Sequence, residues 1–482
     1  MSRIQAEINQ LLLTPSSPTF SGTSVLGHDL NWAPDIQLPR RMIANASSTA
    51  RWVWPLYQQH LSSLASRRGQ TQSLRVSTSD TEETSPFPNG PPALPELARA
   101  SFIEWRYFAV LSPAFHGIVG LALVNPDGRF LRIAETGLLL IVAGVLDRPP
   151  LPSSAAEASD AGPLFDEGVA ELCWMHLFAP HACQFDPIAT AGSEPTGSGL
   201  CASDADCRLE LRQVNAAEAE LEIKARQGLK LRMSHRGLAG ASLPQVTETA
   251  LDGWLGRALG AHWQVQCPSP MAWSDGELLL EPGLMAGLAG AAGGANPSYA
   301  SAALRHRVAA GDRIFSWQTA SGYAEHSFGI RPLPLQGWDF LFVPKPETGE
   351  ALVLQTYPGS QALRYVEVCW PQDGVLRQWR FPAQGLRLTW PQAVADPVLG
   401  AGRPLRRRIE TAHGGLRLSL DNLVLHRLPL LRPQRLVVRH FFISEEIGIS
   451  DWRLSDDSGR VLAEVRGQPS GGELARRRLR VP

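Results

Sequence analysis

From Phe102 onward, apolar and polar residues alternate along most of the chain. In FIEWRYFAVL, Ile103, Trp105 and Tyr107 fall to one side and Glu104 and Arg106 to the other, the pattern of a strand with one buried face. Between Arg208 and Arg236, the runs RLELRQV, AELEIKARQ and LKLRMSH repeat the alternation and are separated by NAAE and Gly228. They predict an antiparallel meander with one solvated face. Further on, EALVLQTY, ALRYVEVCW, DGVLRQWRF, GLRLTW, GGLRLSLDNLVLHRL and RLVVRHFFI are punctuated by PGSQ, PQDG and PAQG. Turn signals at roughly ten-residue spacing belong to sandwiches and barrels. Long antiparallel sheets tend to close on themselves, which removes exposed edges. The expected fold is therefore all-β, with two antiparallel barrel-like domains.

Three stretches interrupt this pattern. Residues 1–95 read as an extension in which a short helix starts at Pro55, with Tyr57, Leu61 and Leu64 at helical spacing. The segment RVSTSDTEETSPFPNGPPALP that follows is too polar to bury much and reads as a flexible linker. A loop insertion is expected at Pro149–Pro163, and GLMAGLAGAAGGANPS (Gly283–Ser298) reads as the loop between two units. The expected domains are thus 96–298 and 299–482.

Composition narrows the function classes. With 44% hydrophobic and 19% charged residues, the 482-residue chain is an ordinary globular protein, and a net charge of −1 argues against a generally basic nucleic-acid binder. The run GLLLIVAGVL (Gly137–Leu146) is about half of the ~20 residues that a membrane-spanning helix needs, so it reads as a buried strand or helix. The N-terminal apolar run is broken by Glu7 and Asn9 and lacks a signal-peptide core, so a cytoplasmic location is expected. Six widely spread cysteines do not form a disulfide framework.

Candidate chemistry centres on RIFSWQTASGYAEHSFG, residues 313–329. Sorted by parity, Phe315, Trp317, Tyr323 and Glu325 share one face while Ala324, His326 and Phe328 share the other. A bulge at Ser321-Gly322 would keep Glu325 with Tyr323 but move Trp317 across. A carboxyl group among aromatic rings has its pKa raised by desolvation, and a neutral acid can donate a proton. Ring faces stabilise a cation by about 0.5–2 kcal/mol per contact. The combination suits protonation of a carbon–carbon double bond followed by capture of the tertiary cation by water or a hydroxyl. The alternative is a surface pair, or a carboxylate tied into a structural hydrogen-bond network.

The order EWRYF (Glu104–Phe108), GYAEHSFG (Gly322–Gly329) and GWDFLFV (Gly337–Val343) resembles the AttH-like superfamily of two lipocalin-like domains. That group includes the carotenoid 1,2-hydratases (hydroxyneurosporene synthases), and the lipocalin-like Diels-Alderases and tocopherol cyclases look related to it. Its signatures commonly read E-W-W-Y, then D-H-x-W-G in hydratases or A-E-K-N-W-G in cyclases. Glu325 falls on the acidic position, His326 on the next, Phe328 on the tryptophan and Gly329 on the glycine, while Trp338 and Phe340 fall on a W-D-W segment. Arg106 and Phe328 replace tryptophans of the pattern, and Glu325 replaces the hydratase aspartate as in the cyclases. The resemblance implies an isoprenoid substrate, carotenoid-like or a prenyl lipid, no cofactor, and Glu325 as proton donor. The candidate catalytic residues are Glu325, His326 and Tyr323; the candidate substrate-binding residues are Trp105, Tyr107, Trp317, Phe328, Trp338 and Phe340. A non-catalytic carrier of an apolar ligand and a pericyclase using the same cavity are the competing readings.

Other constellations are weaker. Cys173, His176, His181 and Cys183 match no common zinc spacing, and no metal is expected. The arginines of GAGRPLRRRIE read as a solvated face, with peripheral contact to an anionic membrane as the alternative. Phosphate-loop, dinucleotide and G-x-S-x-G motifs are missing, which sets aside NTPase, Rossmann dehydrogenase and α/β-hydrolase functions.

Overall fold

The computed structural model describes residues 102–124, 137–156, 170–178, 182–185, 198–215, 217–226, 228–248, 262–281, 303–305, 313–330, 337–357, 360, 362–396, 401–430 and 441–477. The helix expected from Pro55, the linker after it, the 283–298 loop and residues 157–163 of the 149–163 insertion lie outside these residues. The described residues form strands throughout. The first thirteen are β1 (Phe102–Leu111), β2 (Phe115–Val124), β3 (Gly137–Leu146), β4 (Ala170–Phe178), β5 (Cys183–Phe185), β6 (Ser198–Ser203), β7 (Cys207–Asn215), β8 (Glu218–Ala225), β9 (Leu229–Gly237), β10 (Leu243–Glu248), β11 (His262–Leu280), β12 (Ala303–Arg305) and β13 (Arg313–Ile330). They form one antiparallel sheet in the order β12-β4-β3-β2-β1-β13-β11-β9-β8-β7-β6-β5, with β10 on β11. The expected meander of residues 208–236 is β7-β8-β9.

This sheet curls around its own interior. Phe108 and Val110 of β1, Trp174 of β4, Leu209 of β7, Leu221 of β8, and Phe315 and Trp317 of β13 belong to one buried cluster, although their strands span the sheet. The two ends meet where His176 Nε2 of β4 lies 2.8 Å from Asp204 Oδ2 in the β6-β7 turn.

The second sheet holds β14 (Trp338–Lys345), β15 (Glu350–Thr356), β16 (Arg364–Gln372), β17 (Val375–Phe381), β18 (Arg387–Asp396), β19 (Ala401–His413), β20 (Leu416–Leu430), β21 (Phe441–Asp456) and β22 (Val461–Arg477). Its order is β17-β16-β15-β14-β22-β21-β20-β19-β18, all antiparallel, and it also curls, since Val366, Ile409, Leu420 and Trp452 share one interior cluster. The all-β architecture of two curled antiparallel sheets is thus the expected one. The sheet crossover, however, differs from the boundary placed at 298/299. β12 and β13 both pair within the first sheet, and the chain passes to the second between Ile330 and Trp338. A glycine- and alanine-rich segment marks a break in local pattern, whereas β13 is claimed by partners far away in sequence, β1 and β11.

The two sheets pack face to face. Trp105, Tyr107, Ala109 and Leu111 of β1 point away from the first sheet's interior and meet Phe340, Phe342, Val353, Cys369 and Ile443 of the second in a continuous apolar layer. A fully buried large apolar side chain contributes roughly 1.5–3 kcal/mol, so this layer alone is a substantial adhesive. Gly120, beside Trp105 on β2, makes room for the indole: a Cβ there would stand 3.0 Å from the ring. Strand alternation thus gives β1, β2 and β3 two buried faces, one inside their own sheet and one between the sheets.

Candidate functional site

The aromatic and acidic side chains of β13 are sorted by a bulge. Trp317 pairs with Gly276 and Ala320 with Ser274, so Gln318 and Thr319 together oppose Asp275. Thr319 takes a positive φ of 47°, and its N–H donates to Asp275 Oδ1 at 2.7 Å, which holds the kink in place. Before the bulge, odd positions face the first sheet's interior, and Trp317 lies there with its indole N–H 3.2 Å from Ser274 Oγ. After it, Ala320 and Ala324 face the interior, and Tyr323 faces the inter-sheet layer. Glu325 and Ser327 follow Tyr323 by parity. The bulge lies three residues earlier than the position considered from the glycine, but its consequence is the same: Glu325 keeps Tyr323 and loses Trp317, which is a core residue of the first sheet.

Glu325 is held by hydroxyl groups. Tyr323 Oη donates to Glu325 Oε2 at 2.9 Å, and Ser327 Oγ donates to Oε1. Tyr107 lies directly across on β1. On the other flank the β11 register shifts between Gln266 and Ser269, and Cys267 Sγ lies 3.5 Å from the Ala324 carbonyl oxygen. Burial raises the pKa of Glu325, and the Ser327 and Tyr323 hydrogen bonds only partly oppose it. Part of the residue's surface nevertheless remains accessible, as a group that must meet a substrate requires.

Rings from both sheets pack around Tyr323, the donor to this carboxyl group. Tyr323 stacks on Phe342 at 4.5 Å and lies 5.5 Å from Phe340; Tyr107 meets Tyr323 edge-on at 6.2 Å, and Trp105 lies 6.4 Å from Tyr107. Tyr107 Oη donates to Glu445 Oε2 of β21 at 2.7 Å, linking the sheets. Burial and then Glu445 raise the Tyr107 phenol well above its ordinary value, so it stays a donor. Trp338 stacks on Tyr357 at 6.4 Å and donates its indole N–H to Glu473 Oε1 at 2.7 Å. Of the candidate residues, Tyr323, Glu325, Tyr107, Trp105 and Phe340 therefore converge.

His326 and Phe328 project from the opposite side of β13. His326 Nε2 lies 2.8 Å from Glu104 Oε1, and its ring is 5.2 Å from Phe328. Arg106 lies across from His326 and reaches both Glu104, at 3.6 Å, and Gln213. Burial and Arg106 lower the His326 pKa against the pull of Glu104. The adjacent Glu-His dipeptide is thus two sites back to back, because neighbouring strand residues point to opposite faces.

Several functional candidates escaped the sequence reading. Glu367 lies between Tyr365 and Cys369 on the face of β16 turned toward the first sheet. It is 4% exposed, and burial raises its pKa to about 7 despite its ion pair with Arg380. The signal was present as a lone carboxylate in the apolar run RYVEVCW. Glu445 and Glu473, cross-strand neighbours on β21 and β22, were also missed.

The arginine run of β19 is not a solvated basic strip. Arg406 forks onto Asp421 at 2.6 Å through both Nε and Nη2, Arg408 reaches the same residue at 3.3 Å, and Arg407 is buried against Asp339, Glu446 and Asn422. These three guanidinium groups are engaged by carboxylates. The cysteine-histidine set is also dispersed: Cys173 faces the inter-sheet layer, Cys183 the first sheet's interior, and His181 lies outside the described residues. Among the described residues, no helix is long and apolar enough to cross a membrane.

No protein-family model matches the chain, and no curated protein matches it. Among solved structures, the crystal structure of CghA with Sch210972 is similar over 79% of this chain and 90% of that one, at 12% identity and a TM-score of 0.44. A second crystal structure of CghA covers the same shares at 12% identity and a TM-score of 0.45. A protein described as AttH from Nitrosomonas europaea is similar over 83% of this chain and 98% of that one, at 11% identity and a TM-score of 0.35.

Proposed function

We propose that this protein is a cofactor-independent enzyme that protonates a carbon–carbon double bond of an isoprenoid and lets water or a hydroxyl capture the resulting cation. The observation that carries the proposal is the setting of Glu325: hydrogen-bonded to hydroxyls, raised in pKa by burial, opposite Tyr107, and held by Tyr323, whose ring packs against Tyr107 and Phe340. A carboxylic acid whose pKa is raised by burial is a better proton donor near neutrality than an ordinary one. Tyr323 positions the acid from its own strand. The ring faces stabilise the positive charge as it develops on carbon, by roughly 0.5–2 kcal/mol each. His326, on the other face of β13, is outside this reaction and orients Glu104 and Arg106.

The test uses lycopene and a prenylated quinol as probes, incubated with the purified protein in heavy water. A product carrying deuterium on a former alkene carbon is expected. Glu325→Gln should reduce its formation by at least about 10²-fold, and Glu325→Asp should retain part of it. A cyclised product without solvent deuterium would identify a pericyclase instead, and stoichiometric retention of unchanged ligand would identify a carrier.

A further inference from the structure

A cation captured by water releases a proton, and on the reading above Glu325 has just given one up to the alkene. A second group should receive it. We propose that Glu367 is that group, accepting the proton from the attacking water or hydroxyl; this rests on the alkene-protonation reading of Glu325.

The placement comes from the β16-β17 hairpin. Gln372 pairs with Val375 across Asp373-Gly374, both at positive φ (52° and 73°), the two-residue turn that an Asp-Gly pair favours. That register puts Arg380 directly across from Glu367. Arg380 donates to Glu367 Oε1 through Nε at 2.8 Å, and its Nη2 lies 2.6 Å from the same oxygen, so the ion pair falls on Oε1 and Oε2 lies outside it. Nη2 also donates to the Pro244 carbonyl of β10 at 2.9 Å, tying the pair to the first sheet. The guanidinium covers the Tyr365 ring at 4.9 Å from its centroid. Glu325 and Glu367 open on the same inter-sheet layer, since Tyr323 beside the one and Cys369 beside the other belong to one buried cluster with Cys267, and both act electrostatically on Tyr365 and Cys267. The titratable or charged groups facing Glu367 are Arg380, Tyr365, Cys369 and Cys267.

The step balances without any further reactant. The Glu325 O–H bond breaks as a C–H bond forms on the less substituted alkene carbon. The lone pair of water forms the C–O bond at the tertiary carbon, and its released proton goes to Glu367 Oε2. Return of that proton to Glu325 through solvent resets the site. A base poised near neutrality suits this role, and the Arg380 contact keeps Glu367 available as a carboxylate.

The experiment uses full-length protein, lycopene and heavy water, and follows two signals: alcohol formed, and deuterium in recovered lycopene. Glu367→Gln should lower alcohol formation about 10²-fold while deuterium still enters recovered lycopene, because Glu325 still protonates and the cation returns its proton. Glu367→Asp should recover part of the loss. Glu325→Gln should abolish both signals. Wild-type rates of alcohol formation in Glu367→Gln would overturn the proposal. Absence of deuterium in wild-type incubations would overturn the reading of Glu325 instead. Should Glu367→Gln fold poorly, infrared titration of the wild-type protein decides: a protonated-carboxyl band titrating at about 7 is expected beside that of Glu325, and its absence counts against the role.

Discussion

Two buried acidic clusters, one inside the second sheet and one between the sheets, neutralise their carboxylates in opposite ways. Inside the second sheet, Asp339 and Glu446 converge on Arg407, which is itself 1% exposed, and Asn422 and Arg427 complete the network. Burial works against the Arg407 charge, but Asp339 and Glu446 raise its pKa, while Arg407 and Arg427 overcome burial and lower that of Glu446. Between the sheets, Glu325 has hydroxyl donors in place of arginine, and its pKa moves up. The lesson is that burial alone does not determine the charge of a carboxyl group; the number and type of its donors do. Two arginines hold Glu446 as an anion, whereas the single Arg380 leaves Glu367 raised and hydroxyl donors leave Glu325 raised.

That contrast can be broken most forcefully at Arg407. Arg407→Ala strands the buried Asp339 and leaves Glu446 with Arg427 alone, and a loss of about 3–5 kcal/mol is expected in urea unfolding, larger at pH 8 than at pH 5 because acid neutralises the stranded carboxylate. Tyr107→Phe removes the donor to Glu445 while keeping the ring, and a cost of about 1–3 kcal/mol is expected by the same measurement. A Tyr107→Phe protein as stable as wild type would show that the inter-sheet bond contributes nothing.

The smallest effect distinguishes the clusters by sign. The folded-state pKa of Glu325 is raised, so its contribution to stability is fully present below the unfolded carboxylate value and is lost as pH rises through the folded one. The lowered pKa of Glu446 has the opposite consequence, stability that is present above the unfolded value and lost on acidification. Glu325→Gln should therefore flatten the alkaline fall in stability between about pH 4.3 and the folded pKa, with about 1 kcal/mol or less of change at acid pH. An unchanged pH profile would place Glu325 in a solvent-like environment.

Much of this was legible in the sequence, for identifiable reasons. Alternation in FIEWRYFAVL correctly separated Trp105 and Tyr107 from Glu104 and Arg106, because parity is local. The partnership of Tyr323 with Glu325 and the opposite pointing of His326 followed from the same rule. Trp317 was misplaced because the bulge depends on Asp275, a residue on another strand. The Arg407 network was hidden because its members, Asp339, Asn422 and Glu446, come from separate strands and meet only when the second sheet curls. The membership of β13 was missed for a similar reason: its ladder to β1 joins residues more than two hundred positions apart.

The strand β14 carries both clusters in one stretch of chain, with Phe340 and Phe342 turned to the rings between the sheets and Asp339, Leu341 and Val343 turned inward. Loss or gain of a single residue there would carry the counter-ion of Arg407 into the aromatic layer and drive a phenyl group into the ionic one. Only two-residue indels keep both partners, so length drift among homologues should be tolerated in the turns flanking this segment and purged within it.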